Sequence, residues 1–291
     1  MTATSDARTP GTLPGSPLDG IRVTFPGVLR SEWIKLRSLR STLWCLGLVV
    51  FISVGFSALV AGVYHVENVA AVPVESGRQL QVLAATVGVS FSQLVAAVLG
   101  VLVITGEYST GMIRSTFSAV PGRLAAYFAK LIVLALVVFL VSAVSLALSA
   151  LVATAIFSSR GLHTDLFSGQ VLLPLLGGAC YLAMISMLAF STGAIVRSSA
   201  GGIATVLGVL LVLPVVLSLT ASLTQAKWVD NMTQFLPSQA GAKLYAFQPT
   251  HEAQVPSGTV SLDVWQGLLV LAAWVVVPLV VGAVLVKRRD V

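Results

Sequence analysis

Six long apolar runs, each of roughly 20 residues or more, dominate this chain and decide what it can fold into. They cover approximately residues 43–63, 80–104, 124–157, 170–196, 201–221 and 264–286. Crossing about 30 Å of hydrocarbon takes about 20 helical residues, so each run is long enough to span a bilayer. Composition agrees: 56% of the 291 residues are hydrophobic and 10% are charged, too little polar surface to cover a water-soluble domain of this size. The fold class expected is therefore an all-α membrane protein with six transmembrane helices. The third run exceeds the bilayer's need, so its first turn or two can lie outside the hydrocarbon, and Lys130 counts with the adjoining polar segment. The fourth and fifth runs are joined by little more than Arg197 to Ala200, which implies a tight antiparallel hairpin.

Charge placement sets the expected orientation. With the N-terminus inside, 13 of the 17 Lys and Arg residues fall in inner segments and 4, Arg78, Arg160, Lys227 and Lys243, fall outside. Both termini are then cytoplasmic. The net charge of +6 follows from this topology and from anionic headgroups, so nucleic acid is not an expected partner and membrane lipid is. Residues 1–24, rich in Pro, Gly, Ser and Thr, read as a mobile cytoplasmic tail and not as a secretory leader, because the first apolar run starts only near residue 43.

Residues 25–42 read as an amphipathic interfacial helix, an elbow ahead of the first span. Phe25, Leu29, Trp33, Leu36 and Leu43 recur at helical spacing on one side, and Arg30 and Arg37 project from another. One reading makes this a positive-inside anchor; the other gives it contact with a cytoplasmic partner through residues such as Trp33, Lys35 and Arg37. Cys45 and Cys180 sit on different spans and read as small packing residues.

The spans are poor in chemistry. Their interiors carry no acidic or basic group beyond the inner ends, which disfavours a proton relay or ion pathway. Serines and alanines at four-residue spacing, Ser145 with Ser149 and Ala143 with Ala147, suit close helix packing. Gln93 would be costly against lipid and belongs either in a helix interface or, with Ser90 and Met184, on a candidate cavity wall. No catalytic residues are expected. His65, His163 and His251 all fall in outer segments and form no metal-protease pair, so no metal site is assigned. A phosphate-binding loop of the form G-x-x-x-x-G-K-[ST] is missing, so an ATP-driven role requires another chain to bind the nucleotide.

Between the second and third runs lies a block of charge, hydroxyl, Gly and Pro: GEYSTGMIRSTFSAVPGRLAAYFAK, from Gly106 to Lys130. With the elbow VLRSEWIKLRSLRSTLW and the six spans, this block resembles the permease subunit of an ABC-2 type transporter in the actinobacterial manner. The likeness covers nearly all of the chain after about residue 25, giving a permease domain over 43–291. Its sharpest part is the order Glu107, Tyr108, Gly111, Arg114, Pro121, Arg123 and Lys130.

The resemblance implies that a segment of about 105–123 is a coupling element docking on a cytoplasmic ABC ATPase. There Gly111 and Pro121 would break the chain, and Glu107, Arg114 and Arg123 would pair with partner charges. It also implies a second permease copy, identical or homologous, and ATP with Mg on the ATPase alone, this chain binding no cofactor. Residues 222–263, with Trp228, Phe235, Tyr245 and Phe247 among three prolines, would form an outer gate. Export of an apolar or amphipathic cargo, such as a drug, antibiotic peptide or lipid, is the function so implied. A gradient-driven secondary transporter and a non-transporting scaffold or sensor are the alternatives.

Overall fold

The computed structural model describes residues 24–64, 73–119, 122–162, 165–249 and 260–288, leaving aside the side chains of Arg114, Phe117 and Ala119. Pro121, the three histidines and the tail before Thr24 lie outside these residues, as do the expectations attached to them. The regular structure of the described residues is all helical: α1 (Phe25–Ser38), α2 (Arg40–Val63), α3 (Val74–Thr86), α4 (Val89–Ser109), α5 (Met112–Ala119), α6 (Arg123–Ser159), α7 (Gly169–Val196), α8 (Ser199–Leu207), α9 (Leu213–Thr224), α10 (Lys227–Gln234), α11 (Pro237–Tyr245) and α12 (Val264–Arg288). Six spans long and apolar enough to cross a membrane result, α2, α3 with α4, α6, α7, α8 with α9, and α12.

Several boundaries differ from those read in the sequence. Helix α1, expected to run to residue 42, ends at Ser38, because Leu39 adopts an extended conformation, and α2 starts at Arg40, three residues before the apolar run. Helix formation follows hydrogen bonding, which does not stop where hydropathy does. The second span likewise starts at Val74 and not near Leu80, and it is interrupted at Val87 and Gly88 between α3 and α4. In the fifth span a π turn at Gly208–Val212 separates α8 from α9, just ahead of Pro214.

At the centre stands α7, packed by α4, α6, α11 and α12. Close approach is built in. A Cβ on Gly100 of α4 would collide with the α7 backbone at Ser186, and one on Gly241 of α11 would enter the ring of Tyr181. Without a hydrophobic drive between helices in lipid, such contact and interhelical hydrogen bonds hold a bundle together. The span hydroxyls act this way: Ser57 donates to the Ser149 carbonyl at 2.8 Å, the Ser53 and Ser92 hydroxyls lie 3.1 Å apart, and Gln81 donates to Thr154 at 2.7 Å. At the C-terminal end of α6, Arg160 donates to the carbonyls of Ala61 and Gly62 in α2 at 2.9 and 2.6 Å and to that of Tyr64 just beyond it at 2.6 Å. That one guanidinium satisfies carbonyls a helix end leaves unpaired.

The α7 to α8 connection is the expected hairpin. Arg197 takes a left-handed conformation at φ 57°, and Ser198 caps α8 by accepting from the Gly201 amide. Between α9 and α12, within the segment that the resemblance assigned to an outer gate, lie α10, beside α9, and α11, seated on α7 and α12. Trp274 of α12 donates its indole N–H to the Phe235 carbonyl at 2.9 Å, which ties this segment down.

Candidate functional site: an ion square beneath a short helix

The end of the bundle where α1, the last turn of α4, α5 and the first turns of α6 meet holds four charges that cancel. Glu32 of α1, Lys35 of α1, Glu107 of α4 and Lys130 of α6 alternate around a square. Lys35 Nζ lies 2.9 Å from Glu32 Oε1 and 3.1 Å from Glu107 Oε1. Lys130 Nζ lies 2.8 Å from Glu107 Oε1 and also pairs with Glu32 Oε2. Three of the four are buried, with side-chain exposure of 3% for Glu32, 9% for Glu107 and 7% for Lys130, while Lys35 is 32% exposed at the rim. A buried ion pair owes its persistence to mutual satisfaction: removing one partner strands the other charge and costs several kcal/mol.

Local sequence places each member. Val28, Glu32 and Leu36, four residues apart, form the inward stripe of α1, while Phe25 and Trp33 are exposed. Of the expected Phe25, Leu29, Trp33, Leu36, Leu43 face, Leu36 is buried and Leu29 packs partly against the core, while Phe25, Trp33 and Leu43 stay on the surface. Glu32 is the acid that the sequence reading missed. Between Thr24 and Arg40 it is the one carboxylate among four cations, and that isolation was the available signal. Lys130 is a further correction: it is buried well inside α6 and not in a polar segment before it.

Lys35 completes its three donors with Thr116 of α5, whose hydroxyl accepts at 3.3 Å while donating to the Met112 carbonyl at 3.1 Å. Burial by itself would lower the Lys35 pKa, but the hydrogen bond to Glu32 and the field of Glu107 outweigh it and hold the pKa above the usual lysine value. Glu107 Oε2 is buried with no hydrogen-bond partner among the described residues. A void of about 10 Å³ beside Glu107 and Lys130 is also bounded by Val286, so the last turns of α12 return to the end of the bundle that carries α1.

Above the square, α5 is a two-turn helix entered through Gly111 at φ 72°, a left-handed conformation that favours glycine. Ile113 is buried, Thr116 reaches Lys35, and Met112, Ser115 and Ser118 are exposed. The side chain of Arg114 is outside the described residues. Arg123 starts α6, with its side chain half-buried.

Glu107, Tyr108, Gly111, Arg114 and Arg123 of the expected coupling residues are thus brought to one end of the molecule, but Glu107 and Tyr108 face inward. Glu107 is engaged within the chain and not available as a surface charge, because its carboxylate answers Lys130 and Lys35. The Tyr108 ring lies under the Arg197 guanidinium, 5.2 Å from centroid to Cζ. Lys35 likewise serves the square, whereas Trp33 and Arg37 are exposed.

The residues read as a candidate cavity separate. Gln93 lies in the α4–α7 interface, where the Tyr181 hydroxyl donates to its Oε1 and its own amide donates to the Ser90 carbonyl at 2.9 Å. Met184 packs partly against the core, and the Ser90 side chain is exposed. Among the described residues no group of His, Cys, Asp and Glu could hold a metal ion.

Six apolar helical spans crowned by a short polar helix define a multi-pass membrane protein. Residues 28–211 match the family described as ABC-2 family transporter protein, and the chain belongs to that family. No curated protein matches it at a significant level. The family is a membrane component of transporters, works in general with a cytoplasmic ABC ATPase and is not itself a nucleotide-binding enzyme.

Proposed function

We propose that this chain is the permease of an ATP-driven exporter in the cell membrane, with both termini cytoplasmic, α1 as the elbow on the inner leaflet and α5 as the helix that docks on a separate ABC ATPase. A second permease copy completes the path, and ATP with Mg is held by the partner. The cargo is apolar or amphipathic, in keeping with spans whose polar groups are nearly all hydroxyls and amides. The observation that carries this reading is the seating of α5. Ile113 and Thr116 fix one side of it to the ion square, and Met112 and Ser115 leave the other side free for a partner.

Glu107 takes a different part from the one the resemblance implied. Through Lys35 and Lys130 it joins the last turn of α4 to α1 and α6, so displacement of α5 is passed to three helices together and not to a loop. Closure of the ATPase pair on ATP would push α5 and bias the helices between two arrangements. The test is a Met112→Asp, Ser115→Arg double variant on the exposed side of α5. ATPase co-purification and ATP-dependent transport should each fall about tenfold, as expected where a new charge meets a docking groove, with thermal unfolding unchanged. Full transport by that variant would refute α5 docking, and transport that follows a proton gradient without ATP would favour a secondary transporter.

A further inference from the structure

Beside the ion square, between the α1–α2 junction, α4 and α6, opens a pocket of about 330 Å³. That is the lower end of the range for small-molecule sites. Its walls are apolar, from Leu36, Leu102, Val103 and Val133, with Leu39 and Met112 at the edge. The rim is polar, and the direction of its hydrogen bonds is informative.

The hydroxyls of Ser109 and Thr110 both give their protons to the Gly106 carbonyl, at 3.0 and 2.8 Å, and Ser38 gives its proton to the Lys35 carbonyl at 2.9 Å. All three Lys35 protons are directed to Glu32, Glu107 and Thr116. Lys130, deeper in, sits between two carboxylates. What these rim groups still offer is therefore oxygen lone pairs on Ser38, Ser109 and Thr110. A serine or threonine oxygen keeps its acceptor capacity after its proton is used, whereas an ammonium with three partners has none to give.

We propose that this pocket binds an amphiphile whose head is a protonated primary amine, the N–H groups donating to the hydroxyl oxygens of the rim and the alkyl chain lying on Leu102, Val103 and Val133. An anionic head finds the protons of Lys35, Ser38, Ser109 and Thr110 already engaged, which leaves it the Ser41 hydroxyl. A quaternary ammonium carries the charge but no N–H. A membrane aminophospholipid and a free amphiphilic amine share this chemistry.

The test measures equilibrium binding of dodecylammonium, dodecyltrimethylammonium and dodecyl sulfate to the full chain in nanodiscs of phosphatidylglycerol. Dodecylammonium should bind saturably and about tenfold more tightly than either of the others, the margin of roughly one charge-assisted hydrogen bond. Val103→Trp, which fills the pocket while leaving the four charges, should abolish saturable binding. Thr110→Val, at an exposed position, should weaken it roughly threefold, and this variant carries the test if the tryptophan protein does not fold. Equal affinity for the three surfactants, or full binding by a folded Val103→Trp protein or by Thr110→Val, would overturn the assignment. Adding phosphatidylethanolamine then separates the sources: competition with dodecylammonium identifies the lipid amine, and undiminished binding identifies a free amphiphile.

Discussion

Helix α7 and the α8–α9 span are both long, apolar and uncharged, yet the protein surrounds one and leaves the other bare. In the most apolar window of α7, 61% of residues are buried; in that of α8–α9 the share is 17%. Glycines let α4 and α11 close on or around α7, whereas Leu211, Val215, Leu219 and Leu223 of the fifth span are all more than half exposed. Hydropathy does not distinguish these helices, because lipid and protein are equally apolar surroundings. Their tolerance of change should differ widely.

The largest effect is expected where the packed side holds charge. Glu32→Ala leaves Glu107 alone to face both Lys35 and Lys130, one positive charge in excess, and should lower stability by about 3–5 kcal/mol, measured by reversible unfolding in bicelles, and Lys130→Met in the same chain should recover part of it. Next comes close packing. Gly241→Val forces a side chain into the Tyr181 ring and should cost about 1–3 kcal/mol, with faster proteolysis between α10 and α11 as the local readout. Tyr181→Phe removes the donor from Gln93 Oε1 in the α4–α7 interface and should cost about 1–2 kcal/mol.

On the bare side, Leu219→Ala should change stability by less than about 0.5 kcal/mol. A loss above about 2 kcal/mol there would break the comparison by showing that this face is packed in the assembled protein.

The smallest effect concerns pH. The folded Lys35 pKa stands above its ordinary value of 10.5, so its contribution is fully present below 10.5 and is lost as pH rises through the folded value. An unfolding midpoint that falls between about pH 7 and 9 would therefore need another group, and Lys35→Met would identify it as such by keeping the same fall.

The six spans were legible because each is a continuous local signal, and the tight turn at Arg197 was legible because only four residues separate two runs. The ion square was not. Lys35 and Glu107 were singled out, but as elbow and surface residues, since nothing within α1 or α4 alone says that residue 32 meets residue 130 across 98 positions. An acid on an otherwise basic helix and a lysine within an apolar run are each unremarkable alone; together they mark a buried pair. Gln93 was correctly seen as needing a partner, yet Tyr181 supplies it from α7, a choice made by tertiary packing. Hydropathy likewise could not tell α7 from α9, for the reason given above.

The grip of Arg160 on the end of α2 has a mechanical meaning when joined to the ion square. Helix α6, 37 residues and about 55 Å long, is pinned to α1 near its start and to α2 at its finish. Held at both ends, α6 behaves as a stiff lever: a tilt of about 10° around one end would sweep the other through about 10 Å, so the proposed push on α5 would be felt, enlarged, at the far end of the bundle.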